Sequence, residues 1–156
     1  MSVRILLVGL ASTLSVSAAH GQDTAQPTNV RTYQADKESV WQDVAAYFSM
    51  KNIPIKTIEY STGIISAERV ELHRPRDADW DQWATCPRRN FGDTPLRILD
   101  RSVHVRGDGD QTQVTANFSF SEVRVTFNVD VVVVPCQSSG TLERDLLNSI
   151  STSATP

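Results

Sequence analysis

Between Gln111 and Phe120 the chain alternates without a slip. Val114, Ala116, Phe118 and Phe120 fall on one side, Thr115, Asn117 and Ser119 on the other. A period of two belongs to a strand with one covered and one wetter face, which is how antiparallel sheets behave. Between 96 and 106, Leu99, Arg101, Val103 and Val105 keep a similar register. Gly107-Asp108-Gly109-Asp110 reads as the hairpin turn between the two runs. Val123, Val125, Phe127, Val129, Val131 and Val133 repeat the period as a third strand. A bulge is expected near Val132, where both faces turn apolar, and Pro135 ends the apolar run. This stretch commits the chain to an antiparallel sheet.

The elements around it are read from capping and periodicity. Asp36 is an N-cap, and Val40, Trp41, Val44, Ala45, Tyr47 and Phe48 recur at three- and four-residue spacing, so a helix of about 15 residues follows with one apolar stripe. Asn52 and Pro54 stop it. A hairpin over 53–60 and 64–70 turns at Ser61-Thr62-Gly63, where Gly63 supplies a positive φ. The stretch from Leu72 to Pro95 breaks the pattern, apart from one or two helical turns that put Trp80 and Trp83 on one face. Leu142, Leu146, Leu147 and Ile150 form the stripe of a last helix, with Thr141 as its cap.

The first residues predict location. Arg4, the apolar run from Ile5 to Ala11, and the small residues Ser17-Ala18-Ala19 follow the order of a secretory signal peptide with cleavage after Ala19 or Gly21. The organisation expected is therefore a signal peptide over 1–21, a flexible lead-in over 22–33, one domain over 34–150 and a disordered tail over 151–156. Roughly 135 residues then remain, the size of one domain. With 15 basic and 18 acidic residues the net charge is −3, which gives no electrostatic case for nucleic acid or an anionic membrane. No cysteine stands at the cleavage site, so no lipid anchor is expected, and no second apolar stretch is long enough to span a bilayer.

In an exported chain the two cysteines, Cys86 and Cys136, read most simply as a disulfide closing a loop of about 50 residues. Two free thiols, or one reactive cysteine with a histidine base, are the competing readings. No metal site and no cofactor are expected, because His73 and His104 stand in no ligand spacing with a cysteine. No serine lies in a nucleophile elbow and neither histidine has an acidic partner in sequence. Asp108-Gly109-Asp110 is a turn. Asp77, Asp79 and Asp81 are acids that a hydrolase would use only with a partner group nearby. Trp80 and Trp83, beside Arg88 and Arg89, form the candidate partner-binding patch. The alternative is that both indoles seal the core beside the disulfide.

Ser39-Val40-Trp41, Asn52-Ile53-Pro54-Ile55 and Thr62-Gly63-Ile64-Ile65 resemble a pattern of bacterial envelope proteins. Pro135-Cys136-Gln137-Ser138-Ser139-Gly140-Thr141-Leu142-Glu143 is similar to a CxSxGxLE signature among them. The layout resembles the helix-grip domains of BamC-like lipoproteins. The resemblance implies a non-enzymatic periplasmic module, associated with the outer membrane, that scaffolds or binds envelope proteins and has a role in outer-membrane assembly or maintenance. The fold expected is an α+β two-layer sandwich, an antiparallel sheet of about five strands with two main helices on one face. A second reading is an apolar-ligand binder with a cavity between helix and sheet, lined by Phe48, Phe118, Phe120 and Phe127. A third is a hydrolase using Asp79 or Asp81.

Overall fold

A computed structural model describes residues 29–72, 79–88, 95–125 and 130–151. The expected signal peptide, His73, Asp77, Arg89 and Phe127 lie outside the described residues. The architecture corrects the expected sandwich. Eight antiparallel strands make one sheet, accompanied by three short helices, instead of about five strands under two main helices.

In chain order the elements are β1 (Val30–Tyr33), α1 (Lys37–Met50), β2 (Ile55–Glu59), β3 (Ile64–Ala67), β4 (Val70–Leu72), α2 (Trp80–Trp83), β5 (Ala84–Thr85), β6 (Leu96–Asp108), β7 (Gln111–Val125), β8 (Val131–Ser138) and α3 (Thr141–Ser149). The sheet runs β2-β3-β6-β7-β8-β5, with β1 also pairing β7 and β4 also pairing β6.

Three misreadings account for the difference. The stretch read as a lead-in contains β1, which pairs Val30 to Tyr33 against Thr115 to Thr112. The run read as a third strand with a bulge is the end of β7 and the start of β8, which fold back so that Val125 faces Val131 and Val123 faces Val133. Pro135 ends the apolar run but not the strand: it lies inside β8, opposite Ser121.

The long β6–β7 hairpin is the frame, and its register puts like with like. Val105 faces Val114, Val103 faces Ala116, Leu99 faces Phe120, and all six are buried. α1 and α3 lie against these strands and against each other. The α1 stripe Val40, Trp41, Val44, Tyr47 and Phe48 is buried as the periodicity predicts. Asp36 caps the helix by accepting from the Ser39 N–H at 3.0 Å and the Ser39 hydroxyl at 2.7 Å. Asn52, at φ 51°, closes it: its N–H donates to the Ser49 carbonyl and that of Ile53 to the Phe48 carbonyl, the hydrogen-bond pattern of a left-handed C-terminal cap. α3 starts at Gly140 with φ 74° and no side-chain cap, so the expected role of Thr141 passes to a glycine. Tyr33 of β1 donates to the Leu147 carbonyl in the last turn of α3 at 2.6 Å.

Candidate functional site

The described part of the predicted contact segment, residues 79–88, is fastened to the sheet by several ties. Trp80 is fully buried, with its ring edge-on to Phe120 at 5.5 Å and the Arg97 guanidinium 5.2 Å from its centroid. Around it runs a charged ladder built by the β6–β7 register, which places Arg97 opposite Glu122. The fully buried Glu122 carboxylate takes Arg124 at 2.7 Å and has Arg97 Nε at 3.6 Å, while Arg97 reaches Asp81 at 3.3 Å. Arg124 also donates to the Pro87 and Arg88 carbonyls at 2.7 and 3.3 Å.

Covalent and backbone ties complete the fastening. Cys86 and Cys136 are disulfide-bonded, their Cα atoms 4.3 Å apart, so the disulfide reading holds and the free-thiol readings fall. β5 pairs with the end of β8, the Ser139 N–H donates to the Trp83 carbonyl at 2.8 Å, and the Ser139 hydroxyl donates to the Gln82 carbonyl at 2.6 Å. Such a disulfide is compatible with an oxidising compartment.

The three described patch residues differ in exposure. Trp80 is core, Trp83 is half-buried, Arg88 is exposed, and Arg89 lies outside the described residues. Asp81 stays exposed and paired with Arg97. It is the one carboxylate lining a hollow of about 300 Å³ beside Cys86 and Arg88. Asp79 stands at the start of α2 without capping it. Phe48 and Phe120 are packed into the core, and Phe118 reaches the wall of a separate cleft.

That cleft, about 270 Å³, opens between the end of α1, the turn of α2, the side of α3 and the sheet. Tyr47 donates to Asp145 at 3.0 Å and Lys51 pairs with the same carboxylate at 2.9 Å. Burial pushes the Tyr47 hydroxyl far up, and the Asp145 charge reinforces the shift. Arg101 enters from the β6 row of inward residues, and its Nε atom is buried without a hydrogen-bond partner. A larger, open groove of about 570 Å³ is lined by hydroxyl and amide groups of Ser66, Ser102, Asn117 and Ser119, with Lys56 and Asp100.

A third feature was not legible as a surface from the sequence. β8 has β7 on one side. On the other it is paired, among the described residues, only at Gln137 and Ser138, by β5. Since Pro135 has no N–H, its pair with Ser121 is a non-hydrogen-bonded one. Pairs alternate, so Val132, Val134 and Cys136 bond to β7 while Val131 and Val133 direct N–H and C=O outward. Their side chains are 67% and 66% exposed, beside Val125 at 56%. The readable signal was a proline within an apolar run, which marks an edge strand.

Among the described residues no group of three His, Cys, Asp or Glu side chains is placed to hold a metal ion, and no helix is long and apolar enough to cross a membrane. His104 faces the Thr62 carbonyl at 3.0 Å on the sheet surface. Compared with protein-family models and with curated proteins, the chain matches none.

Proposed function

We propose that this chain is a non-enzymatic binding module of the bacterial cell envelope, working in the periplasm, that takes an extended segment of a partner protein as an added strand on β8. One observation carries the reading. Among the described residues the edge of β8 is open at Val131 and Val133, whose backbone groups stand together with an exposed valine surface. Sheet edges left open template pairing with another chain, and proteins that avoid this place charges, prolines or bulges there; Pro135 blocks one position of this edge and leaves Val131 and Val133 free to pair. From Val131 to Ser138 the strand carries no charge at all, so an apolar segment meets no desolvation penalty from ions. Main-chain hydrogen bonds then supply affinity, and alternate side chains supply selection.

The fastened segment 79–88 supports the role differently from the way the tryptophans first implied. It braces the far end of β8 through the disulfide and β5, so that the edge is presented without its own strand fraying. The predicted leader, the disulfide and the likeness to envelope proteins support the compartment. The outer-membrane association, and a share in outer-membrane assembly or maintenance, belong to the same reading.

Site-specific photocrosslinking in cells of the native host tests it. A photoreactive residue at Val131 is expected to give a discrete adduct whose partner peptide is apolar and extended, while the same residue at Lys56, on the opposite side of the sheet, gives none. Adding Val133→Pro removes an outward N–H and leaves the β7 ladder intact, so it should abolish the Val131 adduct in a folded protein. Equal adducts at both positions, or an adduct that survives Val133→Pro, would overturn strand addition.

A further inference from the structure

The inward row of β6 reads Leu99, Arg101, Val103, Val105. Three of these positions are buried apolar residues and one is a guanidinium. Cations on such a row are ordinarily paired, because an uncompensated buried charge is strongly destabilising. Arg97, two residues before Leu99, follows that rule with Glu122 and Asp81. Arg101 does not. Opposite it in the register stands Phe118. The one carboxylate of the cleft, Asp145, is taken by Lys51 and Tyr47. Among the described residues Arg101 has no ion pair, and its Nε has no acceptor. Burial draws its pKa down from the ordinary value, and the nearby Tyr47 opposes the shift only in part.

On the cleft side the walls around this guanidinium are mostly apolar, while Arg101 also borders the neighbouring polar groove together with Glu143. Ile53, Trp83, Leu99, Phe118 and Leu142 line the cleft, and the Lys51–Asp145 pair closes one side. Apolar walls with few convergent polar groups are the usual make-up of a small-molecule site, and about 270 Å³ lies just below the range of drug-sized ones. A guanidinium fork fits a carboxylate through two parallel N–H···O bonds. Lys51 is already neutralised, so the cleft offers one net positive charge and suits a monoanion rather than a phosphate dianion.

We propose that the cleft between α1, α2, α3 and the sheet binds a small apolar carboxylic acid, its carboxylate on Arg101 and its body against Trp83, Phe118 and Leu142. This site is separate from the β8 edge, and it stands or falls without it. It also gives Trp83 a binding role that Trp80 does not share.

The test is a titration of the intact domain with 3-phenylpropionate, followed by the indole N–H signals of Trp83 and Trp80 in NMR spectra. The Trp83 signal should move and saturate while that of Trp80 stays. The uncharged isostere 3-phenylpropionamide should bind at least about tenfold more weakly. Arg101→Met should lose binding by a similar factor and at the same time raise Tm, because it replaces a half-buried cation without an ion pair by an apolar side chain of similar length. A purely structural arginine would give the opposite change in Tm. No movement of Trp83 up to about 10 mM acid, or equal binding of acid and amide by the wild type, would overturn the proposal.

Discussion

Asp36 shows how a single side chain sets the boundary of an element and leaves a trace in the pH dependence. The Ser39 N–H, and then its hydroxyl, hold the Asp36 carboxyl below the usual carboxylate range. A folded-state pKa below the unfolded one means that the stabilisation is complete above the unfolded value, about 3.9, and is lost as pH falls through the folded value. Asp36→Ala should therefore lower Tm at neutral pH and flatten this part of the acid limb, as thermal melts between neutral and strongly acidic pH would show. Gly63 is similarly specific. At φ 74° an added Cβ would run into the Val105 carbonyl, so Gly63→Ala should cost at least about 1 kcal/mol in denaturant unfolding. The two tryptophans now separate: Trp80→Ala should cost about 3–5 kcal/mol as a core truncation, and Trp83→Ala clearly less. Asp36, Asn52 and Gly63 were legible in the sequence because caps and turns are local. Glu122 and Arg101 were not. Alternation says which face a residue takes, but whether a cation waits opposite it depends on a register set by the β6–β7 hairpin.

Elements were legible in proportion to their length. α1, α3 and the β6–β7 hairpin follow from periods and caps spanning a dozen residues or so. β1, β4 and β5 hold four, three and two residues, too few to show any period, and they exist because a long neighbouring strand offers them an edge. The valine run misled for another reason. With Val123, Val125, Val131 and Val133 all in one phase, the spacing stays even across the reversal between β7 and β8, so nothing in the pattern marks two strands. The segment carrying α2 and β5 is held by both covalent and electrostatic ties. Replacing both cysteines by serine should cost about 4 kcal/mol for a closed loop of this length, read from urea unfolding of the oxidised wild type and the double variant. Glu122→Gln should cost about 3–5 kcal/mol because it leaves two arginines without their shared carboxylate. Apolar replacement of the whole Arg97–Glu122–Arg124 set should restore most of that.

At the scale of the whole molecule, the described residues form a braced sheet with an uncharged open edge at β8 and a cleft, beneath its helices, that holds the Arg101 guanidinium. Of the tryptophan-arginine patch expected from sequence, Trp80 is taken up by the core. Aromatic and basic residues close together in sequence do not reveal which of them the fold consumes. The central claim, an open β8 edge, is tested by amide hydrogen exchange on the free protein at a concentration where light scattering shows a monomer. The N–H groups of Val132 and Val134 should be protected by β7, and those of Val131 and Val133 should exchange at nearly the rate of unstructured chain. Slow exchange at all four valines in the monomer would mean that the edge is already covered, and would contradict the account.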